Sequence, residues 1–212
     1  MKKKPKICVP APHLEKEIEK ALQEFKKTWE SEEKVFEELC FCLLTPQSSA
    51  KGALKTISLL KEHKLLDTGS AAEKEPHLKN IRFYKTKAKR LEEAQRKFPK
   101  HRIKKILEEA GLPANPLKCR DFLFNEVNGY GLKESSHFLR NIGFFEEVAI
   151  LDRHILKNLK KCGVIREVPK HLSEKKYLEI EQNMKDFCKK HGIKFHELDL
   201  VFWSNETGKV LK

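Results

Sequence analysis

Two stretches of this 212-residue chain hold side chains that could do chemistry: Val127-Asn128-Gly129-Tyr130-Gly131-Leu132-Lys133, and, nineteen residues after Lys133, Asp152 within Ile150-Leu151-Asp152-Arg153-His154. Glycines at both ends of the first turn permit positive φ and let another backbone approach closely. Leu132 then opens a helix whose first amides lack intrahelical acceptors, so an anionic oxygen such as a phosphate can bind there. Lys133 lies beside that place. Taken alone, it can be a phosphate-contacting cation or, once deprotonated, an amine nucleophile. A free lysine with pKa ~10.4 is neutral only about one part in a thousand near pH 7, so the second role needs help. Asp152 likewise has two readings, a cap on the following helix through Ile155, or an ionised group that stabilises positive charge and accepts a proton.

The elements that must position these residues read as helices throughout. Met1 to His13 is basic, contains prolines and has little to pack, which predicts an irregular lead-in. Leu14, Ile18, Leu22, Phe25 and Trp29 recur every three or four residues, the period of an amphipathic helix. A second helix is predicted from Glu32 to Leu44, capped by Ser31, with Val35, Phe36, Leu39 and Cys42 inward and Pro46 as its stop. Gln47-Ser48-Ser49 caps a third, carrying Ala53, Ile57, Leu59 and Leu60. Lys64 to Asn80 is polar, with one short helix from Ala71. A basic helix then follows Ile81-Arg82-Phe83-Tyr84-Lys85 and closes at Pro99. Arg102 to Ala110 ends at Gly111, and Asn115-Pro116 starts the first arm of the hairpin, to Val127. Lys133 to Asn141 is the second arm, with Gly143 as its C-terminal cap. Helices around Ile155–Cys162, Ser173–Lys190 and Glu197–Ser204 complete the chain; no run alternates convincingly as a strand.

The net charge is +13, from 44 Lys and Arg against 31 Asp and Glu, and the basic residues are spread over every segment rather than gathered in a tail. That points to a polyanionic partner as readily as to a solvated basic surface. No stretch approaches the roughly 18 apolar residues that span a membrane, and the first residues lack a signal-peptide core, so an intracellular protein is expected. Six cysteines, Cys8, Cys40, Cys42, Cys119, Cys162 and Cys188, include no C-x2-C pair, which argues against a zinc site or a disulfide framework.

The order apolar-x-Gly-x-Gly-x-Lys at Val127–Lys133 resembles the helix-hairpin-helix motif. Together with Asp152, Phe36-to-Ala50 (FEELCFCLLTPQSSA), Lys133-to-Gly143 (KESSHFLRNIG), Ala149-to-His154 (AILDRH) and the ending Gly208-Lys209-Val210-x-Lys212, it resembles the small archaeal-type 8-oxoguanine DNA glycosylase/AP lyases, a family also found in some bacteria. The resemblance spans almost the whole chain. It implies an all-α, two-lobed helix-hairpin-helix glycosylase fold without an amino-terminal β domain. One lobe is formed by both chain ends (1–31 and 150–212); the other is a central bundle (32–149) carrying the hairpin at about 117–143. Relatives with an iron–sulfur cluster hold it with four closely spaced cysteines after the aspartate. Here only Cys162 and Cys188 follow Asp152, so no cluster and no required cofactor are expected.

The resemblance also implies a chemistry. The damaged nucleotide is flipped out of duplex DNA and Lys133 attacks C1′ of its sugar, with Asp152 as its electrostatic partner and proton relay. The Schiff base so formed then cleaves the strand by β-elimination. Gly129 and Gly131 would hold backbone phosphate, with hairpin carbonyls able to take a monovalent cation, and His154 would hold a further phosphate. Gln47 would fill the gap left in the duplex, against a bland role satisfying loop amides. Phe83 and Trp203 would stack on the extruded base, against roles in apolar packing. The terminal carboxylate of Lys212 would read the N7 hydrogen that 8-oxoguanine has and guanine lacks. A monomer acting on 8-oxoguanine-containing double-stranded DNA beside the chromosome is the expectation. The competing readings are a noncatalytic helix-hairpin-helix module and a glycosylase for another lesion.

Overall fold

The computed structural model describes residues 5–112 and 114–210, and among them the regular structure is entirely helical. Its α-helices are α1 (Pro12–Thr28), α2 (Glu32–Leu44), α3 (Ala50–Glu62), α4 (Ala71–Lys74), α5 (Tyr84–Lys97), α6 (Ile103–Glu109), α7 (Pro116–Glu126), α8 (Leu132–Asn141), α9 (Arg153–Lys161), α10 (Glu174–His191) and α11 (Leu198–Thr207). Local signals fix most of these ends. The hydroxyls of Ser31, Ser49 and Ser173 accept the amides of Lys34, Gly52 and Lys176, and the Asn115 side chain accepts that of Lys118. Helices α9 and α10 stop at Gly163 and Gly192, both at positive φ.

Two helices are more deeply buried than a one-sided pattern predicts. In α2 every residue from Leu39 to Leu44 is buried, because the other helices of this half pack around it. In α8 the polar Ser135, Ser136, His137, Arg140 and Asn141 are buried with Phe138 and Leu139. Asn141 donates to Glu38 of α2 at 2.9 Å, so at least part of that buried polarity is matched.

The apolar residues gather in three clusters. The first runs from Val35 to Val148 and takes in α2, α3, α5, α6, α7 and most of α8. A second joins Cys8, Leu132, α9, α10 and α11. The third, made of Ile18, Leu22, Phe25, Phe145, Leu200 and Val201, fastens α1 to α11. The lead-in is better packed than expected. Cys8 is buried in a short 3-10 turn, and Asn205 of α11 donates to the carbonyls of Ile7 and Val9 and accepts the amide of Ala11. A single polar side chain supplies the order that the segment's composition does not. The thiols of Cys8 and Cys162 lie 3.1 Å apart, and all six cysteines are free.

A buried ion pair ties the hairpin to the segment that carries Asp152. Arg120 of α7 donates to both oxygens of Glu181 in α10, at 2.7 and 2.8 Å, and Glu181 also takes the amide of Ala149 at 2.7 Å. Glu181→Gln leaves the guanidinium buried without its counter-charge. We expect it to lower stability by about 3–5 kcal/mol, measured by urea unfolding. Unfolding indistinguishable from wild type would show that Arg120 is compensated elsewhere.

Candidate active site

The hairpin is built by α7, the turn Asn128–Gly131 and α8. Tyr130 points inward and donates to the Leu39 carbonyl at 2.9 Å, pinning the turn to α2. Asn128 donates to Glu93 of α5 at 2.9 Å. The two glycines are not equivalent. Gly129 has φ +96°, and a Cβ there would come within 2.5 Å of the Arg90 side chain. Gly131 has φ −113°, extended backbone open to other residues, so positive φ is required at only one end of the turn. Its amide donates to Glu134 at 3.3 Å, and the other oxygen of Glu134 lies 3.3 Å from the ammonium of Lys133. Glu134 thus occupies the helix start where a phosphate was expected and holds the lysine beside it.

Successive turns of α8 aim Lys133, His137 and Arg140 at one cavity of about 370 Å³. Asp152 enters it from the start of α9, Asp199 and Trp203 from one face of α11, and Ser48 and Ser49 line its rim. Other recesses are larger, one of them about 590 Å³ beside Phe36 and His101, but that one touches neither Lys133 nor Asp152. Size does not decide the site; the convergence of a nucleophile, a carboxylate and an aromatic does.

Asp152 does two things at once. Its Oδ1 accepts the Ile155 amide at 2.7 Å and so caps α9, while the side chain also lines the cavity. Deeper in, the guanidinium of Arg140 lies 3.9 Å from Asp199 and 4.7 Å from the centre of the Phe25 ring. Burial raises the pKa of Asp199, against the opposing pull of Arg140; burial likewise lowers that of Arg140, against the pull of Asp199. Their proximity favours the charged pair. Burial also holds His137 well below the ordinary histidine range, reinforced by Arg140 and Lys133. Its ring is therefore neutral at pH 7, and neither nitrogen has a hydrogen-bond partner among the described residues.

A family model described as 8-oxoguanine DNA glycosylase matches residues 18–193. The 8-oxoguanine DNA glycosylase/AP lyase of Fusobacterium nucleatum is 42% identical over 195 residues, covering 90% of this chain and 89% of its own. The enzyme of the same name from Methanocaldococcus jannaschii is 43% identical over 198 residues, covering 92% and 91%. The crystal structure of the Methanocaldococcus jannaschii 8-oxoguanine glycosylase/lyase in complex with a 15mer DNA containing 8-oxoguanine superposes with a TM-score of 0.81 at 40% identity, covering 94% and 93%. The chain belongs to the 8-oxoguanine DNA glycosylase family.

For a glycosylase of this family, the residues singled out from the sequence are distributed unevenly. Lys133, Asp152 and Trp203 share the cavity. Trp203 is partly exposed and stacks on His154 with ring centres 4.2 Å apart. His154 in turn faces Glu206 at 3.1 Å, so in this arrangement it has a carboxylate partner rather than an open face for phosphate. Gln47 and Phe83 are exposed outside the cavity lining, both in left-handed backbone conformations. Phe83 is 54% exposed, which removes the packing explanation for it. Lys212 lies outside the described residues. Sequence reasoning missed Glu134, His137, Arg140 and Asp199. Helical spacing from Lys133 could have placed His137 and Arg140 on its face, but nothing local pairs Arg140 with Asp199.

Proposed function

We propose that this protein excises 8-oxoguanine from double-stranded DNA and then cleaves the strand, as a bifunctional glycosylase and AP lyase. The carrying observation is the convergence of Lys133, Asp152 and Trp203 on one cavity, in a chain of this family. The extruded nucleotide presents C1′ to Lys133. The neutral amine attacks C1′ as the bond to the base breaks; Asp152 then takes the proton released from the new C–N ammonium, directly or through water, and hands it to the departing base, which leaves neutral while Asp152 returns to its carboxylate. The sugar ring opens as the Schiff base forms. Loss of a C2′ proton then expels the 3′ phosphate by β-elimination. Asp152, ionised, stabilises the positive charge that grows on the sugar.

Recognition of the base follows from the walls. The indole of Trp203 offers a stacking face. The Asp199 carboxylate is an acceptor suited to the N1–H and amino group of a guanine edge, and the buried Arg140 beside it is a donor suited to O6. Lys212, to which the family resemblance assigns the acceptor for N7–H, lies outside the described residues. Gly129, Gly131 and His154 are assigned to DNA phosphate, which requires Glu134 and Glu206 to give up their present contacts. Among the described residues no backbone donor reaches the carbonyls of Asn128 and Gly129, so the turn has oxygens free for a monovalent cation; no other cofactor is invoked. The basic surface, +13 overall, suits a duplex partner, and the protein acts as a monomer on chromosomal DNA within the cell.

Borohydride trapping tests the reading. The protein is incubated with duplexes carrying 8-oxoguanine, guanine or an oxidised pyrimidine and reduced, and covalent protein–DNA bands are compared. A band confined to the 8-oxoguanine duplex is expected. A band only on another lesion overturns the substrate, and salt-sensitive binding with no band on any duplex favours a noncatalytic module.

Truncating Trp203 separates base recognition from strand cleavage. Stacking on an aromatic contributes about 1–3 kcal/mol per base, so Trp203→Ala should slow 8-oxoguanine release roughly 5- to 150-fold. Cleavage at a preformed abasic site needs no base and should stay within a few-fold of wild type. Equal loss in both assays would show that Trp203 only supports the fold through His154.

A further inference from the structure

Lys87 of α5 is buried, although it looks like one basic residue among many in that helix. Its ammonium donates to the carbonyls of Leu44 and Pro46, both at 2.7 Å, and to the hydroxyl of Ser48 at 3.2 Å. Leu44 is the last residue of α2, where carbonyls lack helical partners and a cation offsets the negative helix end. The same Ser48 hydroxyl accepts the amide of Arg82 at 3.0 Å, joining the α2–α3 corner to the segment before α5. Next to each joined residue stands an exposed side chain on a left-handed backbone, Gln47 at φ 55° and Phe83 at φ 58°. Non-glycine residues hold that conformation only where the surroundings impose it, and such strain gathers at functional sites. Of the two, Gln47 adjoins Ser48, which with Ser49 lines the cavity holding Lys133 and Asp152.

We propose that Lys87 is a positioning residue for duplex engagement: its ammonium fixes the Pro46–Ser48 corner so that Gln47 enters the gap left by the extruded nucleotide. The proposal rests on the excision reading given above. An ammonium has three donors for these three acceptors, and a neutral amine only two. Burial pushes Lys87 down to about 8, with Arg90 on its own helix and Lys133 of α8 acting in the same direction and Glu134 of α8 opposing; the corner contributes only neutral oxygens. The clamp is therefore complete well below pH 8 and progressively loses a donor and its charge as the pH rises through about 8.

A double-mutant cycle reads this directly. Lys87→Met and Gln47→Ala are measured singly and together for single-turnover excision from an 8-oxoguanine duplex. Each single change is expected to slow excision about tenfold. The double variant should be no slower than the slower single one, about 10-fold rather than about 100-fold below wild type, because Lys87 acts through Gln47. Effects that multiply overturn the proposal, as does a Lys87→Met protein that excises at the wild-type rate. A second measurement needs no Lys87 variant. The ratio of the wild-type rate to the Gln47→Ala rate is followed from pH 7 to pH 9, where pH effects on the chemistry itself cancel. It should fall toward one as the pH passes about 8, and a flat ratio overturns the proposal. A wild-type protein that excises no 8-oxoguanine overturns this proposal and the excision reading together; normal wild-type excision with independent effects at positions 87 and 47 overturns this one alone.

Discussion

Replacing Lys133 by glutamine is expected to abolish borohydride trapping on 8-oxoguanine duplex and to lower single-turnover strand cleavage by ~10⁴-fold or more, the scale for loss of a covalent nucleophile. Glutamine is one bond shorter but stays polar and can donate a hydrogen bond, while an amide nitrogen cannot form a Schiff base. The fold should hardly notice. The Lys133 side chain is 25% exposed and its ion pair is with the adjacent Glu134, which can still hold the Gly131 amide after the change. Melting within a few degrees of wild type is therefore expected. Duplex affinity should fall only a few-fold, with the dependence of log K on log salt changing by about one unit at most. If the variant still gives a covalent band, another amine is the nucleophile. If it loses binding in proportion to cleavage, Lys133 is a phosphate ligand and the chemistry lies elsewhere.

The second large effect separates two jobs done by one carboxylate. Asp152 caps α9 through Ile155 and faces the catalytic cavity, and asparagine caps a helix about as well as aspartate. Asp152→Asn should therefore melt within about 2 °C of wild type while cleavage falls by about 10²–10⁴-fold, as expected when charge stabilisation and proton transfer are both removed. Asp152→Ala removes the cap as well, about 1 kcal/mol, and should lower the melting temperature by roughly 2–4 °C more. Thermal melts beside single-turnover rates give the comparison. Two fully active variants, the asparagine one as stable as wild type and the alanine one less so, would reduce Asp152 to a cap.

How much of this could be read in the sequence depends on the range of the interactions involved. Helix ends were legible where the signal is local: Ser31 and Pro46 bracket α2 at the residues expected, and Ser173 starts α10 as expected. That Lys133 and Asp152 would lie near each other was legible because each sits at a locally marked helix start, and the structure brings both to one cavity. Burial was harder. KESSHFLRN reads as a helix with one wet face, yet its polar residues are enclosed, because the packing of α2 and α7 around α8 is a tertiary outcome. Lys87 could not be told from its basic neighbours, since its carbonyl partners lie some forty residues earlier. The paired glycines suggested two positive φ angles; only Gly129 has one, while Gly131 is where Glu134 reaches back to a free amide. Phe83 was read as core or as a stacking group, and only its exposure separates those readings.

The way the apolar clusters divide the chain also sets an order of events during synthesis. Chains emerge from the ribosome amino end first, and units whose contacts are complete can pack as they appear. The cluster from Val35 to Val148 is complete before Asp152 has been made, so the hairpin can be assembled early. The cavity cannot. It waits for α11, which brings Asp199 and Trp203 to its wall and Asn205 to the waiting lead-in. A nascent protein built this way can pack its hairpin before its cavity has a complete wall, and the cavity closes with the last described helix.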